Sequence, residues 1–218
     1  MHKKLFFFLL MIMCGACSTS KSQKKIEMAD SIQNISYLQF QKMKSLTVEE
    51  ALKTPKLAHK VRIGLDDLNK DLSPLQYTQY VWLHRGVTYL PASITTLKNL
   101  RILDLYSKQF TQLPEDIGKL QKLEALHTRQ TKIQDFPNSI EQLNALKVIT
   151  LNTLNKLPKN LTKIRNLQQL YLNGPGKLEL KELFKVLGKL PKLRYISMVD
   201  VYPFSQPHIV TYFSSPYF

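Results

Sequence analysis

The chain has 218 residues, of which 44% are hydrophobic, and its formal net charge is +15 at pH 7. This length accommodates one elongated domain with its end caps and excludes a second large domain. Both cysteines, Cys14 and Cys17, lie near the N-terminus, which excludes disulfide bonds and thiol catalysis in the rest of the chain.

The first residues have the layout of a secretory signal peptide. A basic start is followed by an apolar run of nine residues, 5–13, and then by small residues before Cys17. A transmembrane helix needs roughly 20 apolar residues, so this run is too short to span a bilayer. The stretch CGAC resembles the lipobox of bacterial lipoproteins, in which the cysteine is acylated and becomes the mature N-terminus. We therefore predict a signal peptide over 1–16 and lipidation of Cys17; the alternatives are an ordinary signal peptide with a free Cys17 thiol, or an uncleaved anchor.

The segment after the leader is polar and without periodicity, which predicts a lipid-anchored tether over 17–45. Thr47 and Glu50 have the spacing of a capping box and predict a short helix over about 48–53. KVRIGL, at 60–65, predicts a first strand with alternate residues, Leu65 included, facing inward. We assign 46–75 to an N-terminal cap that includes this strand.

An internal repeat dominates the rest of the chain. An apolar residue followed by proline recurs at Leu90, Leu113, Phe136 and Leu157, at spacings of 23, 23 and 21 residues. Between these positions runs a ladder with steps of three and a final step of two: Leu97, Leu100, Leu103, Leu105; Leu120, Leu123, Leu126, Thr128; Leu143, Leu146, Ile149, Leu151; Ile164, Leu167, Leu170, Leu172; Leu190, Leu193, Ile196, Met198. Each unit should therefore hold one turn and then a short strand.

LPASITTLKNLRILDL, at 90–105, resembles the bacterial form of the leucine-rich repeat, whose units read L-P-x-x-I-x-x-L-x-x-L-x-x-L-x-L. The resemblance implies an α/β solenoid with a parallel concave sheet, short helices or irregular turns on the convex side, and a cap at each end. Family units usually carry Asn three residues after the second strand leucine, where this chain has Lys108, Thr131 and Pro175. We place the repeats at 76–198.

The first repeat, YVWLHRGVTYLP at 80–91, is degenerate and has two possible registers. Counting back 23 residues from the next strand places Tyr80 and Trp82 inside the coil. Alternation instead places Val81 and Leu83 inside and Trp82 on the concave face. Because a shift of one residue exchanges the faces, the sequence leaves both registers open.

The tail over 199–218 keeps no repeat and contains six aromatic residues and three prolines. We predict that it forms a C-terminal cap, because a solenoid needs to cover its last coil. The competing interpretation is an exposed aromatic platform for sugar binding.

No motif predicts catalysis or a bound metal. The histidines lack companions at ligand spacing, and DLNKDL at 67–72 lacks the glycine of a calcium loop. Asp104, His127 and Thr150 form a row across three neighbouring strands, but an open sheet offers no oxyanion donors. We predict a protein that is not an enzyme and has no metal or other cofactor.

Strand residues that alternate with the ladder should face outward on the concave side, and these residues do not repeat. The predicted binding face consists of Asp104, Tyr106, His127, Arg129, Thr150, Asn152, Tyr171 and Asn173, with Arg62 on the first strand and Ser197 and Val199 on the last. Such charged, aromatic and amide groups on a preformed sheet suit the recognition of a protein or a glycan. The alternative is a face that is merely soluble.

We therefore predict a membrane-anchored, non-catalytic scaffold that binds a protein or glycan through its concave sheet. It should be a monomer in the bacterial cell envelope with no nucleic-acid partner. Ser18 after the acylated cysteine, in place of Asp, resembles lipoproteins sorted to the outer membrane.

The alternative function is a structural envelope component that binds anionic lipid or polysaccharide through basic convex residues. Those residues are Lys98, Arg101, Lys119, Lys122, Lys163, Arg165, Lys189, Lys192 and Arg194. They also suit a simpler role as solvated positions that keep the solenoid soluble.

Overall fold

The structure, a computed structural model, describes residues 40, 42–152, 156–174 and 178–199, and the backbone of 209–212. Within these residues nine strands form one sheet and follow one another in chain order. The strands are β1 Leu46–Thr47, β2 Lys60–Ile63, β3 Tyr80–Leu83, β4 Ile102–Tyr106, β5 Ala125–Arg129, β6 Val148–Asn152, β7 Gln169–Asn173, β8 Tyr195–Val199 and β9 Ile209–Tyr212. Strands β1 to β8 are parallel and β9 is antiparallel to β8. The predicted α/β solenoid is confirmed.

Helical segments occupy the side of each coil opposite the sheet. The described residues contain two α-helices, α1 Val48–Lys53 and α2 Leu180–Leu187, and 3₁₀ turns at Pro55–Leu57, Leu65–Asp67, Ala92–Thr96, Ile117–Lys119, Asn138–Gln142 and Lys159–Lys163. The predicted capping box of α1 is confirmed, because the Glu50 amide donates to Thr47 Oγ1 at 3.2 Å and the Thr47 amide donates to Glu50 Oε2 at 2.8 Å.

The leucine ladder forms one continuous core between the sheet and the convex turns. All the predicted ladder residues are buried except Met198, which is half-buried against the core. Leu126, in the central coil, is 0% exposed and pairs in register with Leu103 and Ile149. Each coil therefore buries its apolar side against its neighbours, as a repeat fold requires.

Two threonines take positions in the central coil where the family pattern has leucine and asparagine. Thr128 is buried, and its hydroxyl donates to the Thr150 carbonyl oxygen at 2.8 Å. Thr131 is also buried, and its hydroxyl donates to the Thr128 carbonyl oxygen at 3.1 Å. These bonds offset the desolvation of both hydroxyls. Thr131 thus satisfies a backbone group at the end of the strand in a unit that lacks asparagine.

The structure resolves the register of the first repeat in favour of alternation. Val81 pairs with Leu103 and Trp82 with Asp104, so the offset between these strands is 22 residues and not 23. Val81 and Leu83 are fully buried in the core, and Trp82 lies on the concave side. Because this degenerate unit is one residue shorter, its inward face stays apolar. With an offset of 23 residues the Trp82 indole would face the core instead.

The prediction that Leu65 faces inward is wrong, because β2 ends at Ile63 and the Leu65 side chain is 57% exposed. The Gly64 amide donates to Asp67 Oδ2 at 2.8 Å, which turns the chain into a 3₁₀ segment. Alternation between faces applies only to extended backbone, so it stops where this turn begins.

Both ends of the sheet carry additional strands. The two-residue β1 pairs with β2 at one end, and β9 pairs with β8 at the other. Residues 200–208 and 213–218 of the predicted C-terminal cap, and 1–39 of the predicted leader and tether, lie outside the described residues. These domain boundaries stay predictions. No helix in the described part of the chain is both long and apolar enough to cross a membrane.

Candidate ligand-binding face

The predicted binding residues form two rows on the concave side of the sheet. Strand pairing aligns Asp104, His127, Thr150 and Tyr171 in an inner row. The outer row, one pleat further along the strands, pairs Tyr106 with Arg129 and Asn152 with Asn173. Alternation along each strand turns both rows away from the leucine core.

The two rows differ in how much side chain they present to solvent. In the inner row Asp104 is 5% exposed, and His127 and Thr150 are each 7% exposed. Tyr171 and the whole outer row are half-buried. Tyr106, Arg129, Asn152, Tyr171 and Asn173 are therefore the predicted residues with substantial contact area for a ligand.

The buried members of the inner row bond to neighbouring side chains. Asp104 accepts a hydrogen bond from the Tyr80 hydroxyl at 3.2 Å and forms an ion pair with Arg129 through the same carboxylate oxygen. His127 Nδ1 lies 2.8 Å from the Thr150 hydroxyl oxygen. Four predicted site residues thus form two pairs, Asp104 with Arg129 between β4 and β5 and His127 with Thr150 between β5 and β6.

Burial lowers the pKa of His127 to about 4. The Asp104 carboxylate opposes this effect, and the Arg129 guanidinium adds to it. The imidazole is therefore neutral at pH 7, because desolvation disfavours the charged form. A neutral imidazole can hydrogen-bond to the Thr150 hydroxyl without placing a charge in this buried position.

A cleft of about 530 Å³ opens on the concave side between β2 and β5, and we call it the β2–β5 cleft. Asp104 lies in its floor. Its walls combine aromatic and basic side chains: Tyr80, Trp82, Tyr106, Lys60, Arg85 and Arg129. The cleft thus draws on two predicted site residues, Tyr106 and Arg129, that have accessible surface.

Two arginines lie against aromatic rings that line this cleft, and one of them, Arg85, lines the cleft itself. The Arg62 guanidinium carbon is 5.9 Å from the centre of the Trp82 ring. The Arg85 guanidinium carbon is 5.1 Å from the centre of the Tyr106 ring, and Arg85 Nη2 donates to the Tyr106 hydroxyl at 3.5 Å. Both distances are within the range of cation–π attraction. The Trp82 indole is fixed in turn, because its Nε1 donates to Ser45 Oγ at 2.9 Å.

Sequence reasoning did not include Trp82 or Arg85 in the binding face. The alternation of Val81 and Leu83 indicated that Trp82 faces the concave side. The 23-residue repeat length indicated the opposite face, so the sequence did not decide between them. Arg85 follows the end of β3, outside the strand positions from which the face was predicted. Only the fold brings it onto the ring of Tyr106.

At the far end of the concave side, the strand residues that the structure describes are aromatic or otherwise uncharged. The rings of Tyr171 and Tyr195 lie 5.1 Å apart between centres, and the Tyr171 hydroxyl donates to Gln169 Oε1 at 3.2 Å. Asn152 and Asn173 complete this part of the face. Their amide groups offer both donors and acceptors to a ligand.

Several basic residues on the convex side bond across or within coils. Lys122, Lys163 and Lys192 each donate to an asparagine Oδ1 of the preceding coil, at 2.7, 3.1 and 2.7 Å. Arg101 makes two bonds to the Glu124 carboxylate, at 3.0 and 2.9 Å. These contacts connect successive coils of the solenoid.

Within the described ranges, no group of three or more His, Cys, Asp or Glu side chains could hold a metal ion. The accessible side chains of the candidate site are aromatic, guanidinium and amide groups.

Comparison with known proteins agrees with this geometry. A family model for a leucine-rich repeat region matches residues 84–201, which is more than half of the chain. The chain is similar to a leucine-rich repeat protein of Leptospira interrogans, with 33% identity over 57% of this chain and 32% of that one and a TM-score of 0.50.

Two further solved structures are similar in fold. An internalin, InlF, of Listeria monocytogenes has 20% identity over 75% of this chain and 45% of its own, with a TM-score of 0.49. A chain of the Toll–Spätzle complex of Drosophila has 15% identity over 72% of this chain and 22% of its own, with a TM-score of 0.58. A search of curated proteins found no match. The chain thus spans about a third of the Leptospira protein and less than half of the other two. The matched region and the repeating coil geometry together show that this chain belongs to the leucine-rich repeat family.

Proposed function

We propose that the protein is a lipid-anchored scaffold of the bacterial cell envelope that binds a protein partner through its concave face. The leucine-rich repeat fold suggests a protein-binding scaffold. One observation carries the assignment to this face: the buried ladder repeats from coil to coil, whereas the accessible concave side chains do not. A fixed frame with unrepeated aromatic and arginine side chains is suited to one particular partner.

The concave face is proposed to bind without catalysis. Its one buried histidine, His127, has a pKa lowered to about 4 by burial, so it is a weak base at neutral pH. The β2–β5 cleft is open to water, and electrostatic stabilisation of a transition state depends on a site that excludes water. Recognition makes fuller use of the residues present than bond cleavage would.

The contacts of the convex lysines favour the concave face over the alternative function. Lys122, Lys163 and Lys192 already donate to asparagines of neighbouring coils. Lys119 forms an ion pair with Asp116 at 2.8 Å. Binding of anionic lipid or polysaccharide through these lysines would compete with these contacts, three of which join neighbouring coils.

The anchor is tested by metabolic labelling with an alkyne fatty acid in a bacterial host. We expect the wild-type protein to be labelled, the Cys17→Ser variant to be unlabelled, and the Cys14→Ser variant to match the wild type. Only Cys17 is proposed to become the acylated N-terminus, so Cys14→Ser is the matched control. Labelling that persists in Cys17→Ser would exclude this anchor.

Concave binding is tested with a photo-cross-linking amino acid placed at Tyr106 or, as the control, at the exposed convex Lys189 in intact cells. We expect a protease-sensitive adduct from position 106 and none from position 189. With the label moved to position 152, the protein with Tyr106 intact should give the same adduct and Tyr106→Ala should lose it, while both unfold at the same temperature. Arg129 is kept in both, because it pairs with the buried Asp104. An adduct only at position 189 would favour the convex alternative, and a protease-resistant adduct at 106 would show a glycan partner instead.

A further inference from the structure

We propose that the β2–β5 cleft binds an acidic, extended segment of the protein partner, with carboxylate side chains held by Arg62 and Arg85. This inference rests on the proposed function and specifies the chemistry of the ligand. It follows from the charge balance of the cleft, from the way in which the two guanidinium groups are held, and from the distribution of charge along the concave side.

The charge balance of the cleft favours an anionic ligand. Lys60, Arg85 and Arg129 line the cleft together with one carboxylate, that of Asp104, which already pairs with Arg129. Arg62 lies beside the cleft, on the ring of Trp82. In the part of the chain that the structure describes, neither Arg62 nor Arg85 forms an ion pair with a carboxylate. Hydrogen bonding to Thr47 lowers the pKa of the Glu50 carboxyl group, and Arg62 adds to this effect without forming an ion pair. An incoming carboxylate would therefore supply a directly paired countercharge for both arginines.

Aromatic contact prepares both arginines for this task. Arg62 lies on the Trp82 ring and Arg85 on the Tyr106 ring, and Trp82 is itself held by Ser45. A guanidinium group against a ring keeps its N–H edges directed sideways, where they can make two parallel bonds to one carboxylate. Because the side chains are already partly ordered, less conformational entropy is lost on binding.

The distribution of charge favours a protein segment over an acidic polysaccharide. Among the described strand residues, basic side chains occur on the concave side from β2 to β5, whereas the corresponding positions of β6 to β8 carry neutral groups: Thr150, Asn152, Tyr171, Asn173 and Ser197. A polymer with a charge on every unit would be matched by basic residues along the whole groove. A protein segment can instead be acidic at one end and neutral at the other.

Strand spacing sets the length of the acidic part. Neighbouring strands lie about 4.8 Å apart, so the distance from β2 to β5 is roughly 14 Å. An extended peptide that crosses the strands rises about 3.3 Å per residue, so roughly four residues cover the basic part of the face. The remaining strands then contact neutral residues of the same segment.

The probe is a fluorescein-labelled peptide with the block Glu-Asp-Glu-Asp followed by Gly-Ser-Tyr-Ser, and its control replaces the block with Gln-Asn-Gln-Asn. Anisotropy is measured with the full-length protein in neutral detergent micelles. We expect the acidic peptide to bind at least about tenfold more tightly than its amide control, since each carboxylate gains charge-assisted bonds. Equal binding of the two peptides, or no binding of either, would overturn the proposal.

Variants locate the binding on the protein. Arg62→Ala/Arg85→Ala should weaken binding of the acidic peptide by about tenfold or more. The control Arg165→Ala/Arg194→Ala removes the same charge from exposed convex positions and should change affinity less than about twofold. Equal losses in the two double variants would show a general charge effect and overturn the site. The single variant Arg85→Lys, at an exposed position that cannot affect folding strongly, should still lose affinity about threefold, because lysine keeps the charge but not the planar edge.

A third probe distinguishes the source of the carboxylates. A labelled tetragalacturonate of the same charge should bind at least about tenfold more weakly than the acidic peptide, since it lacks a neutral half. Equal affinity with the same dependence on Arg62 and Arg85 would replace the protein segment with a polysaccharide. A cross-link from Tyr106 without acidic-peptide binding would overturn this inference and leave the proposed function standing. Acidic-peptide binding without such a cross-link would contradict the proposed function alone.

Discussion

The two sides of the solenoid use basic side chains in different ways. On the convex side Lys122, Lys163 and Lys192 donate to asparagines of the preceding coil, and Arg101 pairs with Glu124. On the concave side Arg62 and Arg85 lie on aromatic rings. A formal charge of +15 therefore does not indicate by itself where an anionic ligand would bind. The partners of each cation decide that.

The difference follows from repetition. Lys122 and Lys192 occupy equivalent positions in their units, and each meets an asparagine at that position one coil earlier, Asn99 or Asn166. Concave side chains face an open surface in which each strand contributes a different residue. Side-chain hydrogen bonds between coils are thus favoured where equivalent positions of neighbouring units meet. A ligand-binding surface can form where the sequence does not repeat.

The largest expected effect comes from the core that both sides share. Leu126 is 0% exposed in the central coil, so Leu126→Ala should lower the free energy of unfolding by about 2–5 kcal/mol. Leu126→Asp should cost more, because it buries a carboxylate without a partner. Urea denaturation followed by circular dichroism measures both losses. Stability equal to that of the wild type would mean that the core does not depend on this ladder position.

The ladder was predictable from the sequence because burial imposes the same demand in every unit. From Leu97 to Ile196 the inward residues of every unit follow the same steps along the chain, and each has an equivalent in the neighbouring unit. The concave side chains were predictable as positions, since alternation turns them away from the core. Two local features, the register at Trp82 and the turn after Ile63, depended on one-residue shifts that a degenerate unit does not fix.

The state of each concave side chain was not predictable. Asp104, His127 and Thr150 are less than 8% exposed, because neighbouring strands place Tyr80, Arg129 and each other over them. Such packing joins residues more than 20 positions apart in the chain, and no spacing rule encodes it. The contact of Arg85 with Tyr106 has the same origin, since a loop position meets a strand of the next coil.

The concave cluster should make stability depend on pH. The pKa of His127 is lowered to about 4 by burial, against 6.5 for an ordinary histidine. Between these values the unfolded chain binds a proton that the folded chain does not, so stability is complete above pH 6.5 and is lost as the pH falls toward 4. The loss from this group should reach up to about 3 kcal/mol.

Urea melts of the wild type and His127→Gln between pH 7.5 and 4 measure this effect. The free energy of unfolding should fall less steeply in the variant, and the difference in slope should vanish above about pH 7. Hydrogen bonding to Lys119 lowers the pKa of Asp116 from 3.8. The stability that depends on the Asp116 carboxylate is therefore lost at lower pH, and equally in the wild type and in His127→Gln. Parallel slopes from pH 6.5 to 4 would contradict a buried neutral histidine.

A smaller effect is expected where two convex turns approach closely. A Cβ atom added to Gly118 would overlap the carbonyl oxygen of Ser139 in the next coil, which is backbone and cannot move aside freely. Gly118→Ala should therefore lower stability by about 1–3 kcal/mol, as overpacking commonly does. Gly188→Ala is the matched control, because its added Cβ atom would lie 3.4 Å from the nearest atom, the Phe184 carbonyl oxygen. Equal thermal unfolding temperatures for the two variants would show that the convex turns can separate without loss.

The smallest effect tests the convex side of the comparison directly. Lys122 is exposed and bonds to Asn99 Oδ1 at 2.7 Å, so Lys122→Ala should lower the free energy of unfolding by no more than about 1 kcal/mol. Reversal of Lys119, Lys122 and Lys163 to glutamate should leave the concave cross-link from position 106 unchanged, because these residues lie on the opposite side of the coil. Co-sedimentation with vesicles of one-third phosphatidylglycerol measures whether the same three lysines bind anionic lipid. If the triple reversal abolished vesicle binding and the cross-link together, the convex lysines would be part of the binding function, and the two faces would not be separate in their roles.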